Sequence, residues 1–226
     1  ENFGTESEYL GFLRDSPSAA QRLCHVLSNS RFLGDALNKS VESVTWLGND
    51  EELKPRTRES LDIQTKAALE RNAGSISDFA NSVRVMRRHE IERIGLAWMS
   101  GVTDDATSLA GMTDVYDAII EASLRWAIRH QLDEMRFDEA PAAIAVIGMG
   151  RYGGREVNFS SDADVIIIYR PTEEADDGQA NLFARKVQED LRAILQGPTT
   201  FEPKIELDLD LRPEGKNGPL VRSYAS

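Results

Sequence analysis

Two apolar runs joined by a glycine-rich turn constrain this chain more than any other feature. Residues 144–147 lead into Gly148-Met-Gly150-Arg-Tyr-Gly153-Gly154, and a second apolar run, 165–168, opens just after Asp162 and Asp164. Glycines at 148, 150 and 153 behind a strand have the spacing of a dinucleotide-binding fingerprint. Length rules that reading out. A parallel crossover needs a helix and roughly a dozen residues, and only residues 154–161 lie between the last fingerprint glycine and the acids. The two strands are therefore expected to be antiparallel neighbours joined by a tight glycine turn. Side chains alternate across a strand, so Asp162 and Asp164 share a face, roughly 6–7 Å apart along the chain. Hard carboxylate oxygens on that rim suit divalent cations, and the glycine amides beside them suit an anion.

Further along, residues 204–212 alternate cleanly: Ile205, Leu207, Leu209 and Leu211 on one face, Glu206, Asp208, Asp210 and Arg212 on the other. This predicts a strand over 204–212. A row of acids costs free energy if it is buried without partners, but not if it faces a cation.

Gly150, followed after eleven residues by Asp162-x-Asp164, resembles the signature of the DNA polymerase beta-like nucleotidyltransferase superfamily. The fuller pattern is narrower. Gly-Met-Gly-Arg-x-Gly-Gly-x-Glu with Ser161-Asp162-x-Asp164, then Leu211-Arg212-Pro213-x-Gly215-x-x-Gly218-Pro219-Leu220-Val221, resembles glutamine synthetase adenylyltransferase, also called the adenylyl-removing enzyme. Members of that family carry two nucleotidyltransferase halves, and this chain shows one. The segment from Asp208 to Gly218 looks closest to the C-terminal, adenylylating halves of actinobacterial members.

The resemblance implies an α+β fold: a helical region over 1–102, then a polymerase beta-like catalytic domain over 103–226 with a mixed or antiparallel sheet packed on helices. It implies transfer of AMP from ATP to a tyrosine hydroxyl of glutamine synthetase with two Mg²⁺ ions, and a PII-type signal protein as a further partner. Asp162 and Asp164 would bridge both ions. Asp208 would be the third carboxylate, because the family's third acid stands four residues before the arginine of Leu-Arg-Pro. At Asp210 the family more usually has a basic residue. Gly150, Gly153, Gly154 and the Ser161 hydroxyl would grip the triphosphate, glycine letting backbone approach phosphate closely, with Arg212 and Lys216 as cationic contacts or salt-bridge residues. Glu156 is a candidate to orient Arg151 or a metal-bound water. Family members continue beyond the position of Ser226 into another helical segment, so the sequence reads as a fragment.

The remaining features bound the alternatives. With 26 Lys and Arg against 38 Asp and Glu, the formal net charge is −12, which repels polyanions and disfavours a nucleic-acid partner. A single cysteine, Cys24, excludes an internal disulfide framework and suits a reducing cytoplasm. No membrane-spanning stretch or signal peptide is visible. The reverse reaction, phosphorolytic removal of AMP from glutamine synthetase as ADP, shares the same metal platform and stays open. A non-catalytic nucleotide-binding module is the alternative from another class.

The first hundred residues read as helices. Ser16-Pro17 is a helix start with a capping hydroxyl, 41–47 is ambiguous between strand and helix, and a long helix runs from about Ser75 to near Gly101. Its basic centre, 84–90, reads as a solvated, ion-paired face, with contact to nucleotide phosphates or a target protein as the alternative. Residues 102–111 read as a polar connection and domain boundary, and 113–135 as the helix behind the sheet.

Overall fold

The computed structural model describes residues 7–198, 204–211 and 218–224. Five short helical pieces come first: α1 (Ser7–Asp15), α2 (Pro17–Asn29), α3 (Arg31–Lys39), a 3-10 helix (Val41–Gly48) and α4 (Asp50–Leu53). The ambiguous segment is therefore helical. Pro17 opens α2, but the Ser16 hydroxyl makes no capping bond. Ser30 is the working cap of the next helix, its hydroxyl accepting from Leu33 N at 3.2 Å.

Three longer helices follow: α5 (Arg58–Arg71), α6 (Ile76–Met99) and α7 (Asp105–Met135). The stretch expected as a polar connection is shorter than predicted, because α7 begins at Asp105. Asp104 caps it, accepting from Thr107 N at 2.8 Å. The Thr, Ser and Asp residues that read as loop thus fill a helix's first turns, where a capping carboxylate offsets their weak propensity.

The rest of the chain builds the sheet: β1 (Ala142–Gly148), the single turn α8 (Gly150–Gly153), β2 (Ala163–Pro171), α9 (Asp177–Gln196), β3 (Leu207–Asp208) and β4 (Val221–Ser223). β1 and β2 are antiparallel, from Ala142 opposite Pro171 to Gly148 opposite Val165, as the short connection requires. The turn joining them is larger than a tight hairpin, since it holds α8 and the loop over 154–162. The other edge of β2 is covered in two pieces, both parallel to it. β3 pairs with its start, and β4 pairs with its end. The result is a four-stranded mixed sheet in an α+β fold.

The strand predicted over 204–212 is a correction. Only Leu207 and Asp208 join the ladder; Ile205, Leu207 and Leu209 are buried, while Leu211 is half exposed. Alternation identifies the buried face but not how long a neighbour runs alongside. Arg212 and Lys216 lie outside the described residues.

One hydrophobic cluster joins α5, α6, α7 and α9 to the sheet through Phe79, Tyr116, Trp126, Val165, Phe183 and Leu191. A second gathers Leu23, Leu37, Val44 and Leu47 around Leu96 and Ala97 of α6. On β2, Ala163, Val165, Ile167 and Tyr169 are buried, which turns Asp164, Ile166 and Ile168 to the opposite, open face.

The basic centre of α6 is not a solvated face. Arg84 is completely buried, its guanidinium donating to Ile194 O at 3.0 Å and to Gly197 O at 2.9 Å. It satisfies the orphan carbonyls at the C-terminus of α9, where the helix dipole favours a cation. Arg93 is buried against Glu90 at 3.3 Å and lies 4.0 Å over the Trp46 ring.

Candidate active site

The site lies at the start of β2, where the strand meets α8 on one side and β3 on the other. Ala163 N donates to Glu206 O at 2.8 Å, and in that register Asp164 stands opposite Asp208. Neighbouring residues in register point to the same face, so the two carboxylates stand side by side across the strands. Asp162, exposed and just ahead of β2, completes the group. Partial burial pushes the Asp164 carboxyl above its ordinary range, and the charges of Asp208 and Asp162 push it further. Asp164 thus feels the charge of both neighbouring acids. Asp208 is also oriented by its backbone, Oδ1 accepting from Asp210 N at 2.7 Å. Asp210, exposed, lines a cavity of about 520 Å³ with Asp162, Asp208, Glu206 and Arg192. Asp164 is not part of that lining and stands beside it, toward Gly150.

Gly150 packs against the Asp164 side chain. It has φ +52°, and a Cβ added to it would lie 2.5 Å from Asp164 Oδ2. Two requirements therefore converge on glycine here: the left-handed backbone and the close approach. Met149 N donates to Asp164 O at 2.8 Å, which fixes the turn against β2. Gly153 meets a second constraint, since a Cβ there would lie 2.5 Å from Gly148 O. The amides of Gly153 and Gly154 donate within the turn, to Met149 O at 2.7 Å and Gly150 O at 3.0 Å. In this conformation those two hydrogens are engaged rather than presented to a phosphate. The Ser161 hydroxyl is likewise engaged, donating to Asn158 Oδ1 at 3.0 Å and accepting from Asn158 N at 3.1 Å. Glu156 is exposed, and its backbone N–H donates to Arg151 O.

Four residues of α7 hold α8 and the loop over 154–162 in place. Tyr152 OH donates to Asp117 at 2.7 Å, and Arg155, itself left-handed at φ 60°, donates to Asp114 at 2.8 Å. Val157 N reaches Thr113 Oγ1, and Tyr116 OH donates to Ser161 O at 3.1 Å. Burial and the Asp117 carboxylate hold the Tyr152 phenol well above its usual range, so it is a permanent donor. Sequence reasoning did not single out Asp114, Tyr116 or Asp117. Their spacing at i, i+2 and i+3 in the first half of α7 is the only signal, and it is also what an ordinary helix face shows.

Whether the acids suit Mg²⁺ can be judged from their chemistry. They are hard oxygen donors, two of them partly buried and one exposed, and their mutual repulsion is what a cation relieves. Among the described residues no three His, Cys, Asp or Glu side chains converge into a preassembled metal site. Like charges in adjacent strand positions oppose such closure. The residue types and the shared face fit the ion.

The family model described as glutamate-ammonia ligase adenylyltransferase matches residues 20–226. A Bifidobacterium longum protein named bifunctional glutamine synthetase adenylyltransferase/adenylyl-removing enzyme is 76% identical over 226 residues, covering 100% of this chain and 21% of that protein. A Mycobacterium tuberculosis protein of the same name is 39% identical over 229 aligned positions, covering 100% of this chain and 23% of its own length. The chain spans about a fifth of the length of the curated relatives it matches. With a family model covering nearly all of it and these relatives behind it, the chain belongs to the glutamate-ammonia ligase adenylyltransferase family.

Proposed function

We propose that this chain is a nucleotidyltransferase unit that moves AMP from ATP to a tyrosine hydroxyl of glutamine synthetase. The observation that carries the reading is the register of Asp164 with Asp208 across β2 and β3, with Asp162 close enough to add its charge. Asp162, Asp164 and Asp208 would hold Mg²⁺, which supplies charge neutralisation at the α-phosphate and a template for in-line attack. Asp208 Oδ1 accepts from Asp210 N, and the other carboxylate oxygen would help to take the tyrosine proton. A phenol near pKa 10 is protonated at neutral pH, so it needs such an acceptor. Gly150 keeps the space beside Asp164 Oδ2 open for phosphate oxygens. The roles of Arg212 and Lys216 as phosphate contacts are part of this proposal. So are the division into a helical region over 1–102 and a catalytic domain over 103–226, and a PII-type regulatory partner.

The second reading, phosphorolytic removal of AMP from glutamine synthetase, is favoured by the word adenylyl-removing in the relatives' name. Incubation with labelled ATP, Mg²⁺ and unmodified glutamine synthetase, in parallel with AMP-bearing glutamine synthetase and phosphate, separates the two. Label on the synthetase, lost in Asp208→Asn, supports adenylylation. Release of ADP only in the phosphate arm replaces it with the reverse reaction. Turnover in neither arm by folded protein overturns both.

A further inference from the structure

The transfer reaction leaves one concentration of positive charge unexplained. Where α3 and α6 face the loop ahead of Asp162, a cavity of about 350 Å³ is lined by Phe32, Lys39, Arg87, Arg88, Phe159 and Lys204. Among the described residues Asp35 is the one carboxylate on its wall, and it faces Arg31 at 3.7 Å. Arg88 is engaged with the Ser40 hydroxyl, but Lys39, Arg87 and Lys204 beside one paired acid stand out, among the described residues, in a chain of net charge −12. Clefts lined by one sign of charge concentrate ligands of the opposite sign. Lys39, Arg87 and Lys204 form no ion pair among the described residues. The Arg87 guanidinium donates to Tyr116 OH at 2.9 Å, yet its buried Nε has no acceptor.

The cavity also has an aromatic wall. Phe32 and Phe159 meet edge to face, ring centroids 5.9 Å apart, and Phe32 is 54% exposed. A half-exposed phenylalanine offers an apolar ring face on which a flat group can stack. Ile91 and Ala36 continue the apolar wall.

We propose that this cavity binds a nucleoside phosphate, its base lying on Phe32 and its phosphate on Arg87 and Lys204. Rings alone would suit any apolar ligand, and cations alone any anion. Their juxtaposition selects a ligand that carries both. The cavity is tied to the acidic rim through one chain of contacts, because Arg87 holds Tyr116 OH and Tyr116 OH holds Ser161 O, next to Asp162. The ligand has two sources, the nucleotide handled at the acids or a separate effector nucleotide. The proposal does not require the acids to be catalytic.

The test uses AMP as the probe, titrated by calorimetry without divalent metal, so that binding does not depend on the acid cluster. Binding is expected at one site, with adenosine and inorganic phosphate each much weaker. Lys204→Gln and Arg87→Gln are each expected to weaken AMP about tenfold, as loss of a charge-assisted hydrogen bond does. Phe32→Ala should weaken it by a similar, roughly tenfold factor through lost stacking. Lys204 and Phe32 are exposed, so their variants keep the fold even if Arg87→Gln does not. AMP that is displaced by Mg-ATP assigns the cavity to the reacting nucleotide; AMP that still binds protein saturated with Mg-ATP assigns it to an effector. Either outcome keeps the site. Affinity unchanged in Lys204→Gln and Phe32→Ala, or no binding of AMP, overturns it, whatever the transfer assay shows.

Discussion

Gly150 stands so close to Asp164 that a Cβ on the glycine would lie 2.5 Å from the carboxylate's Oδ2. The turn and the strand are separate elements held together by Met149 N and Asp164 O. A methyl group at Gly150 therefore cannot be absorbed by moving the turn alone. Gly150→Ala is expected to push the Asp164 carboxylate out of its position and to lower adenylyl transfer by at least about a hundredfold, the loss that misplacing a reacting group by roughly an ångström produces. The left-handed backbone adds strain of about 1–2 kcal/mol, so the melting temperature should fall by several degrees and no more. Transfer assays and thermal melts on the same preparation check both halves.

The acids themselves should cost stability. Burial raises the Asp164 carboxyl, and the charges of Asp208 and Asp162 raise it further. Removing one of these charges relieves repulsion without opening a cavity, since Asn is nearly isosteric with Asp. Asp164→Asn is expected to melt about 2 °C higher than the unaltered chain at low ionic strength, while losing transfer. Asp138→Asn, at an exposed position on the connection into β1, serves as the control and should not shift the melt. If Asp164→Asn instead melts several degrees lower, the carboxylate is holding the fold together rather than serving the reaction.

Arg84 shows where reading from sequence stops. The run over 84–90 holds three arginines and a histidine, and charge density of that kind normally marks a wet helix face. Its true partners, the carbonyls of Ile194 and Gly197, lie far along the chain, and no local pattern announces them. The antiparallel pairing of β1 and β2 was legible because the link was too short for a crossover; strand alternation is local and put Asp162 and Asp164 on one face, whereas it could not choose among Glu206, Asp208 and Asp210, and only the family resemblance singled out Asp208. The extent of β3 was not legible, because it depends on how far β2 runs beside it. The α7 residues that pin the loop were not, because each is an unremarkable polar residue until Tyr152, Arg155 and Ser161 are folded over it.

Arg84→Met keeps the apolar stem and removes the donor that both carbonyls have among the described residues. The expected loss is on the order of 3 kcal/mol, seen as a lower urea midpoint with unchanged slope. Lys at this position recovers only part of it, since one ammonium cannot reproduce the planar guanidinium's two-sided grip on Ile194 O and Gly197 O.

Glu92 sets a pH dependence. It is 1% exposed in the middle of α6, facing the segment after α3, and neither carboxylate oxygen has a hydrogen-bond partner among the described residues. Burial pushes its carboxyl up to about 7, with the Ser43 and Ser40 hydroxyls and Arg88 offsetting part of that shift and Glu42 adding to it. The hydroxyls are near without meeting hydrogen-bond geometry, so burial dominates. A raised pKa means that the folded chain holds a proton which the unfolded chain releases near 4.5, the ordinary value. The stabilising contribution is therefore complete below that value, shrinks as pH rises, and is lost once pH passes about 7. The loss amounts to on the order of 3 kcal/mol. Glu92→Gln stays neutral throughout and should flatten this part of the profile, gaining most over the unaltered chain at pH 8. Denaturation midpoints from about pH 5 to pH 8 for both proteins measure it. Parallel profiles would mean that Glu92 is charged in the folded state and balanced by Arg88.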